Sequence, residues 1–202
     1  MLITLVNTEI KMKRLYGIGG KKRSGKNMLA REITLEATRS GKTVEMFAFA
    51  DPIKNCLAEI FKYEMHPMYF TEDRYKDHQV RVSGAKSMSV REILQIVGTE
   101  CFRDNIDPSF WIRRAFERYK QSQADIVIIT DVRFENEVDM INTHGTSILV
   151  ERTGHTSDDS HRSETELDKI DYLFTWTVAF PDGDRQGMTN FAKTIIKDID
   201  ER

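Results

Sequence analysis

The sequence predicts an α/β fold, a doubly wound parallel sheet of about five strands with helices on both faces. Three observations predict it. Apolar runs suited to buried strands alternate with apolar stripes at helical spacing along most of the 202 residues, the order that builds a parallel sheet between helical layers. Ile126-Val127-Ile128-Ile129 is apolar without interruption, as a central strand buried on both faces requires. Finally, Gly20-Lys21-Lys22-Arg23-Ser24-Gly25-Lys26 has the form GxxxxGK and stands between a short apolar run and a helical stripe. Such a sheet closes with right-handed crossovers and holds its ligand beyond the carboxyl ends of its strands.

Each element follows from local pattern. Residues 15–18 read as a brief buried strand, and Met28, Leu29, Ala30, Ile33 and Leu35 mark a helix that ends at Ser40-Gly41-Lys42. Residues 44–49 form a second strand. Pro52 suits a helix start, with Asp51 as its cap and Lys54, Leu57 and Ile60 along it. Residues 62–89 are polar and broken by Met65-His66-Pro67-Met68, as in an insertion or mobile flap. Val90, Ile93, Leu94 and Val97 then set a helical stripe over 90–102, and Trp111, Ala115 and Phe116 set another over 110–119. The strand at 125–130 ends in Asp131-Val132-Arg133. A helix over 134–142, a strand at 147–150, a polar stretch over 151–163, a strand near 173–178 and a closing helix from Gly187 complete the chain. Residues 1–11 are expected to be an extension, or an edge strand over 2–6.

Composition narrows the class. The chain is 40% hydrophobic and 31% charged, enough for one domain of ordinary core size. A net charge of -2 argues against a nucleic-acid polymer as partner, since such binders carry a broad basic excess. No run approaches a membrane span and residues 1–10 are too short for a secretory signal, so the expected location is cytoplasmic. Cys56 and Cys101 lack CxxC spacing. They point to neither a disulfide nor zinc, and are expected as buried thiols.

The chemistry starts at the glycine loop. Glycines at both ends let successive N–H groups point inward, the following helix adds the positive end of its dipole, and Lys26 reaches outer phosphates as a point charge. Lys21, Lys22 and Arg23 add positive potential at the mouth. Asn27 occupies the position where Ser or Thr usually holds Mg2+. Its amide oxygen can face the ion directly or through water. Asp131, at the end of the central strand, suits the shell of Mg2+ or a substrate hydroxyl, and alternatively caps the next helix. Arg133 stabilises charge and can pair with Glu137 four residues on, a pairing that would also orient it toward a phosphate. Gln95, Thr99 and Glu100 lie at near-helical spacing and present an amide and a hydroxyl to a base or sugar, or else form a solvated face. Trp111 stacks on a base or belongs to the core. The stretch 152–164 reads as a lid closing through Arg152 or Arg162 rather than as a metal site of His155, Asp158, Asp159 and His161. Lys54, Arg74 and Lys76 are further phosphate candidates.

Several patches also match one family in order: the glycine loop, Phe49-Ala50-Asp51-Pro52-Ile53-Lys54, Leu94-Gln95 with Gly98-Thr99-Glu100, Trp111-Ile112, Asp131-Val132-Arg133-Phe134 with Asn136-Glu137, and His161-Arg162-Ser163-Glu164. The chain resembles the deoxynucleoside monophosphate kinases of bacteriophages, and around the first loop it is also similar to phosphomevalonate kinase. The resemblance implies a single phosphate-loop kinase domain, with a core over 12–61 and 124–202, a helical acceptor-binding insertion over 62–123 and a short lid over 152–163. It implies transfer of the terminal phosphoryl of ATP, with Mg2+, to a deoxynucleoside monophosphate. Donor binding would fall on Gly20, Lys21, Lys22, Arg23, Ser24, Gly25, Lys26, Asn27 and Arg152. Acceptor binding would fall on Arg91, Gln95, Gly98, Thr99, Trp111, Asp131, Arg133 and Glu137, with Asp51 and Lys54 as further candidates. Lys26, Asp131 and Arg133 would be catalytic, and Asn27 and Asp131 would face the metal. The expected partners are these small molecules, with a homodimer left open.

Two departures from the family pattern are visible. Lys26-Asn27-Met28 stands where Lys-Asp-Thr is common, and Arg91-Glu92 where two basic residues often open the helix. The competing readings are a kinase for another phosphorylated metabolite and a nucleotide-binding regulator that has lost catalysis.

Overall fold

The computed structural model describes residues 14–81, 87–154 and 165–201. Five parallel strands form the main sheet: β1 (Arg14–Gly19), β2 (Val44–Ala48), β5 (Ile126–Val132), β6 (Thr146–Arg152) and β7 (Trp176–Phe180), in the order β2-β5-β1-β6-β7. The α/β class read from the sequence is therefore correct. Side chains alternate across a strand, and each inner strand is apolar both ways. Leu15, Val127, Ile129 and Leu149 feed one core cluster; Tyr16, Ile18, Ile126, Ile128 and Ile148 feed the other.

The second cluster is closed by α1 (Lys26–Arg39) and the C-terminal helix α8 (Arg185–Asp200), through Leu29, Ile33, Ala192 and Ile195. Glu32 joins the two helices. It is buried on α1 and accepts hydrogen bonds from Arg185 Nε (2.7 Å) and Thr189 Oγ1 (3.0 Å).

On the opposite face lie α2 (Asp51–Ile60), α5 (Phe110–Gln121) and α6 (Glu135–His144), which contribute Ile53, Leu57, Trp111, Val138 and Ile141 to the first cluster. The helix after β1 and the helix after β5 thus leave adjacent strands toward opposite faces. That divergence opens a crevice at the carboxyl ends of the two strands.

The segment expected as a flap is tied to this face. It contains α3 (Met68–Thr71), a 3₁₀ turn (Asp73–Tyr75) and an antiparallel hairpin of β3 (Gln79–Arg81) and β4 (Ser87–Ser89). Phe70 and Val80 anchor it in the core, which polarity of the sequence hid because among the described residues of the segment they are the only buried apolar side chains. Two backbone hydrogen bonds also fasten it to the next helix, with the N–H of Val90 donating to His78 O (3.0 Å) and that of Arg91 to Lys76 O (2.8 Å).

Several expectations change. The helix expected over 90–102 is α4 (Val90–Gln95) followed without a break by a π-helix (Ile96–Asp104). Ser89 caps α4 through its side chain, and Glu92 reaches back to Ser89, so Glu92 serves a capping box. Asp51 is not a cap: it is the first residue of α2, and its Oδ2 accepts from Ala48 N–H at 2.9 Å. The last strand starts at Trp176 because 171–173 form a 3₁₀ turn, and α8 starts at Arg185 under an Asp184 cap. Both cysteines are exposed rather than buried. Cys56 falls between Ile53 and Leu57, on the side of α2 turned away from the core. The short helix α7 (Leu167–Ile170) precedes β7. The extension at 1–11 lies outside the described residues, as do His155, Asp158, Asp159, His161 and Arg162. Among the described residues no helix is long and apolar enough to cross a membrane.

Candidate active site

β1 ends at Gly19, where the register with β5 shifts so that Gly19 faces Val132. The glycine loop follows. Gly20 has φ 153°, and a Cβ there would stand 2.4 Å from Ser24 Oγ and 2.6 Å from Val150 O, so this position has no room for a side chain. Arg23 and Gly25 adopt positive φ of 63° and 97°, which curls the loop before α1 begins. No side chain caps α1 at Gly25, and its first turn carries no acidic residue. The positive end of the helix is therefore not neutralised by a carboxylate from its own first turn. Lys26 Nζ donates to Lys21 O at 3.2 Å across the loop. Ser24 is buried, and its hydroxyl makes no hydrogen bond among the described residues.

The end of β5 supplies the second part. Asp131 has φ 72°, a left-handed backbone inside a strand end. Arg133 Nε donates to Asp131 Oδ1 at 2.6 Å. Burial alone would push the Asp131 carboxyl up; the charges of Arg133, Lys76 and Lys26 outweigh it and hold this group well below the usual carboxylate range. The expected Arg133–Glu137 side-chain pair does not form, because α6 begins only at Glu135 and Arg133 lies outside helical geometry. Glu137 Oε2 accepts instead from the backbone N–H groups of Arg133 (2.8 Å) and Phe134 (3.3 Å), and Oε1 from the Arg103 guanidinium. Burial pushes the Glu137 carboxyl up, against the pull of Arg103.

The third part is the long helix over 90–104. A four-residue step overshoots a full turn by about 40° in an α-helix of 3.6 residues per turn. In the wider π-helix, with i→i+5 bonds, the same step falls short. Passing from α to π at Ile96 therefore cancels the drift, and Arg91, Gln95, Thr99 and Arg103 line one cavity together. Gly98 lets this helix approach α2: a Cβ there would lie 2.7 Å from Ile53 Cδ1. Trp111 Nε1 donates to Gly98 O at 2.8 Å, and its ring packs against Phe102 and Phe110. Trp111 is thus 5% exposed core as well as cavity wall.

Two cavities meet over these parts. One is walled by Phe49, Ile53, Leu94, Gly98, Trp111 and Phe134, with Gln95, Thr99 and Arg103 as polar points. The other is polar and lined by Lys22, Arg23, Lys26, Asn27, Asp77 and Thr130. Lys54, Lys76, Arg91, Asp131 and Arg133 line both. Asp77 spans the polar cavity, its Oδ1 accepting from Arg91 Nε (3.1 Å) and Lys22 Nζ (3.2 Å). The Arg91 hydrogen bond, helped by Lys22, holds Asp77 below its ordinary value.

The deoxynucleotide monophosphate kinase family model matches residues 68–172, which hold the hairpin, the α-to-π helix and the end of β5. A protein of Acanthamoeba polyphaga mimivirus, named as a deoxynucleotide monophosphate kinase, is 33% identical over 168 residues, covering 77% of this chain and 83% of that one. The chain belongs to the deoxynucleotide monophosphate kinase family. The deoxynucleotide monophosphate kinase of Enterobacteria phage T4 is 31% identical over 83 residues, 39% of this chain and 34% of the phage protein. The deoxynucleoside-5'-monophosphate kinase of Escherichia phage T5 is 31% identical over 77 residues, 35% of this chain and 31% of that one. The match thus spans about a third of each of these two phage kinases.

In this kinase most of the residues singled out from sequence converge. Lys22, Arg23, Lys26 and Asn27 line the polar cavity; Lys54, Arg91, Gln95, Gly98, Thr99, Trp111, Asp131, Arg133 and Glu137 line the apolar one. Others stand apart from both. Lys21 pairs with Asp168 at 2.5 Å, Arg152 with Asp182 at 3.0 Å, and Arg74 with Glu72 at 2.7 Å. Asp51 sits behind the wall, 3.4 Å from Lys54 Nζ. Glu100 is exposed and lines neither cavity. Sequence reading undervalued Lys76, which lines both cavities, and passed over Asp77 and Arg103. Only the contacts of the hairpin and the π register bring these three inward, and neither leaves a periodic signal.

Proposed function

We propose that this kinase transfers the terminal phosphoryl group of ATP, with Mg2+, to a deoxynucleoside monophosphate, giving the diphosphate and ADP. What supports the reading most is the meeting of a polar, phosphate-loop cavity and an aromatic-walled cavity through the same charged residues, Lys54, Lys76, Arg91, Asp131 and Arg133. An aromatic wall with few polar points suits a flat base and a deoxyribose, and a cluster of cations at its mouth suits the monophosphate.

The donor half fits a triphosphate tail. Gly20 leaves the backbone open where a Cβ would clash, the α1 terminus carries no side-chain cap, and the buried Ser24 hydroxyl would gain a phosphate partner. Among the described residues no three His, Cys, Asp or Glu side chains cluster for a metal. Mg2+ would then rest mainly on phosphate oxygens, with Asn27 and Asp131 facing it, and when bound it would neutralise charge on the transferring group.

The acceptor oxygen, already anionic, attacks the terminal phosphorus as the bond to the bridging oxygen of the leaving ADP breaks. No general base is needed for such an acceptor. Asp131, held ionised far below neutral pH, suits an electrostatic and orienting part rather than proton transfer. Lys26 and Arg133 offset charge on the transferring group, and residues 62–123 serve as the acceptor-binding insertion. Coupled ADP release with each of the four deoxynucleoside monophosphates tests the reading. Turnover with at least one, abolished by chelating Mg2+, is expected; no turnover with any of them sinks it.

A further inference from the structure

Arg103 enters the acceptor cavity from the π-helix and is 6% exposed. Both terminal nitrogens of its guanidinium are engaged. Nη1 donates to Asn136 Oδ1 (3.2 Å) and Pro108 O (3.3 Å), Nη2 donates to Glu137 Oε1, and the group lies 3.7 Å from the centroid of the Phe134 ring. Glu137, 2% exposed, spends its other oxygen on the N–H groups of Arg133 and Phe134. Two backbone donors thus fill Oε2, and Oε1 is held by the Arg103 guanidinium.

We propose that Arg103 is a positioning residue for phosphoryl transfer. It acts through Glu137 to fix the 131–134 segment, and so aims the Arg133 guanidinium and the Asp131 carboxylate at the junction of the two cavities. The inference rests on the function proposed above. A left-handed aspartate persists only where its surroundings over-determine it, and the Arg103–Glu137 pair grips the backbone two and three residues further on. A role in stability alone would not need this pair, since apolar residues of similar volume commonly replace a buried ion pair without loss of stability. Transfer chemistry does need it, because small misplacement of charged groups costs rate steeply.

The test is Arg103→Met, Arg103→Lys and the double variant Arg103→Met/Glu137→Leu in the full chain, with kcat, acceptor KM and donor Kd measured for each. Arg103→Met is expected to lose at least tenfold in kcat, with donor Kd within twofold of wild type and acceptor KM changed less than kcat. Arg103→Lys should fall between Arg103→Met and wild type. The double variant removes the stranded carboxylate but also frees the N–H groups of Arg133 and Phe134, so it should melt above Arg103→Met though below wild type, and still lack turnover. A folded Arg103→Met or double variant with kcat within twofold of wild type overturns the assignment, as does a proportional fall in kcat and donor affinity. Failure of the function itself reads differently, since wild type would then be inactive on every acceptor.

Discussion

Asp131 combines an unfavourable backbone with a concentrated charge. A left-handed residue other than glycine costs about 1–2 kcal/mol, with Asn and Asp tolerating it best. Asp131→Asn and Asp131→Ala both remove the charge, and only the alanine also loses the side chain that tolerates φ 72°. Both are expected to lose most turnover, and Ala should be less stable than Asn by about 1 kcal/mol in urea titration. Equal stabilities would mean that the backbone is not strained there. Lys26 differs, since its side chain is partly exposed and its ammonium meets a loop carbonyl. Lys26→Ala should cut kcat by about a hundredfold or more while the melting temperature moves by about 2 °C or less. Near-normal turnover would remove Lys26 from the transfer step.

Among the elements, the pairing of α1 with α8 depends on Glu32. Burial pushes its carboxyl up, but the hydrogen bonds from Arg185 and Thr189 and the charges of Arg185 and Arg39 hold it below the ordinary glutamate value. A carboxyl lowered on folding stabilises the chain above its unfolded value of about 4.3 and loses that contribution as pH falls through the folded value. Glu32→Gln should therefore cost about 1–2 kcal/mol at pH 7, and the gap to wild type should close on acidification below about pH 4. A gap independent of pH would show that shape, not charge, joins the helices. The long helix over 90–104 makes a different point. Its apolar stripe at Val90 and Ile93 is legible in sequence, yet the change from α to π at Ile96 is not, because it depends on Gly98 meeting Ile53 and on Trp111 bonding Gly98 O.

Across the whole molecule, one core cluster joins residues 62–123 to the sheet. Phe70, Val80 and Trp111 share it with Phe47, Val127 and Ile129. Residues 62–123 are therefore expected to unfold with the sheet rather than before it. In a Trp176→Phe background, the fluorescence of Trp111 and the far-ultraviolet circular dichroism should give coincident urea transitions. An earlier fluorescence transition would mark 62–123 as a separately unfolding unit.

The local chain determined most of the frame. Strands β1 and β5, helix α1 and the glycine loop follow from apolar periodicity and from backbone angles that glycine alone adopts freely, which act over a few residues. Lys26, Asp131 and Arg133 could be placed beside the cavities because strand ends and phosphate loops have fixed places in such a sheet. Tertiary structure decided which charges meet. The Arg103 guanidinium rather than that of Arg133 meets the Glu137 carboxylate, Lys76 reaches the junction and Asp77 the polar cavity, and Arg152 turns to Asp182. Such pairings depend on where elements far apart in the chain come to rest, and on which side of a helix faces the core. That same geometry left Cys56 and Cys101 exposed.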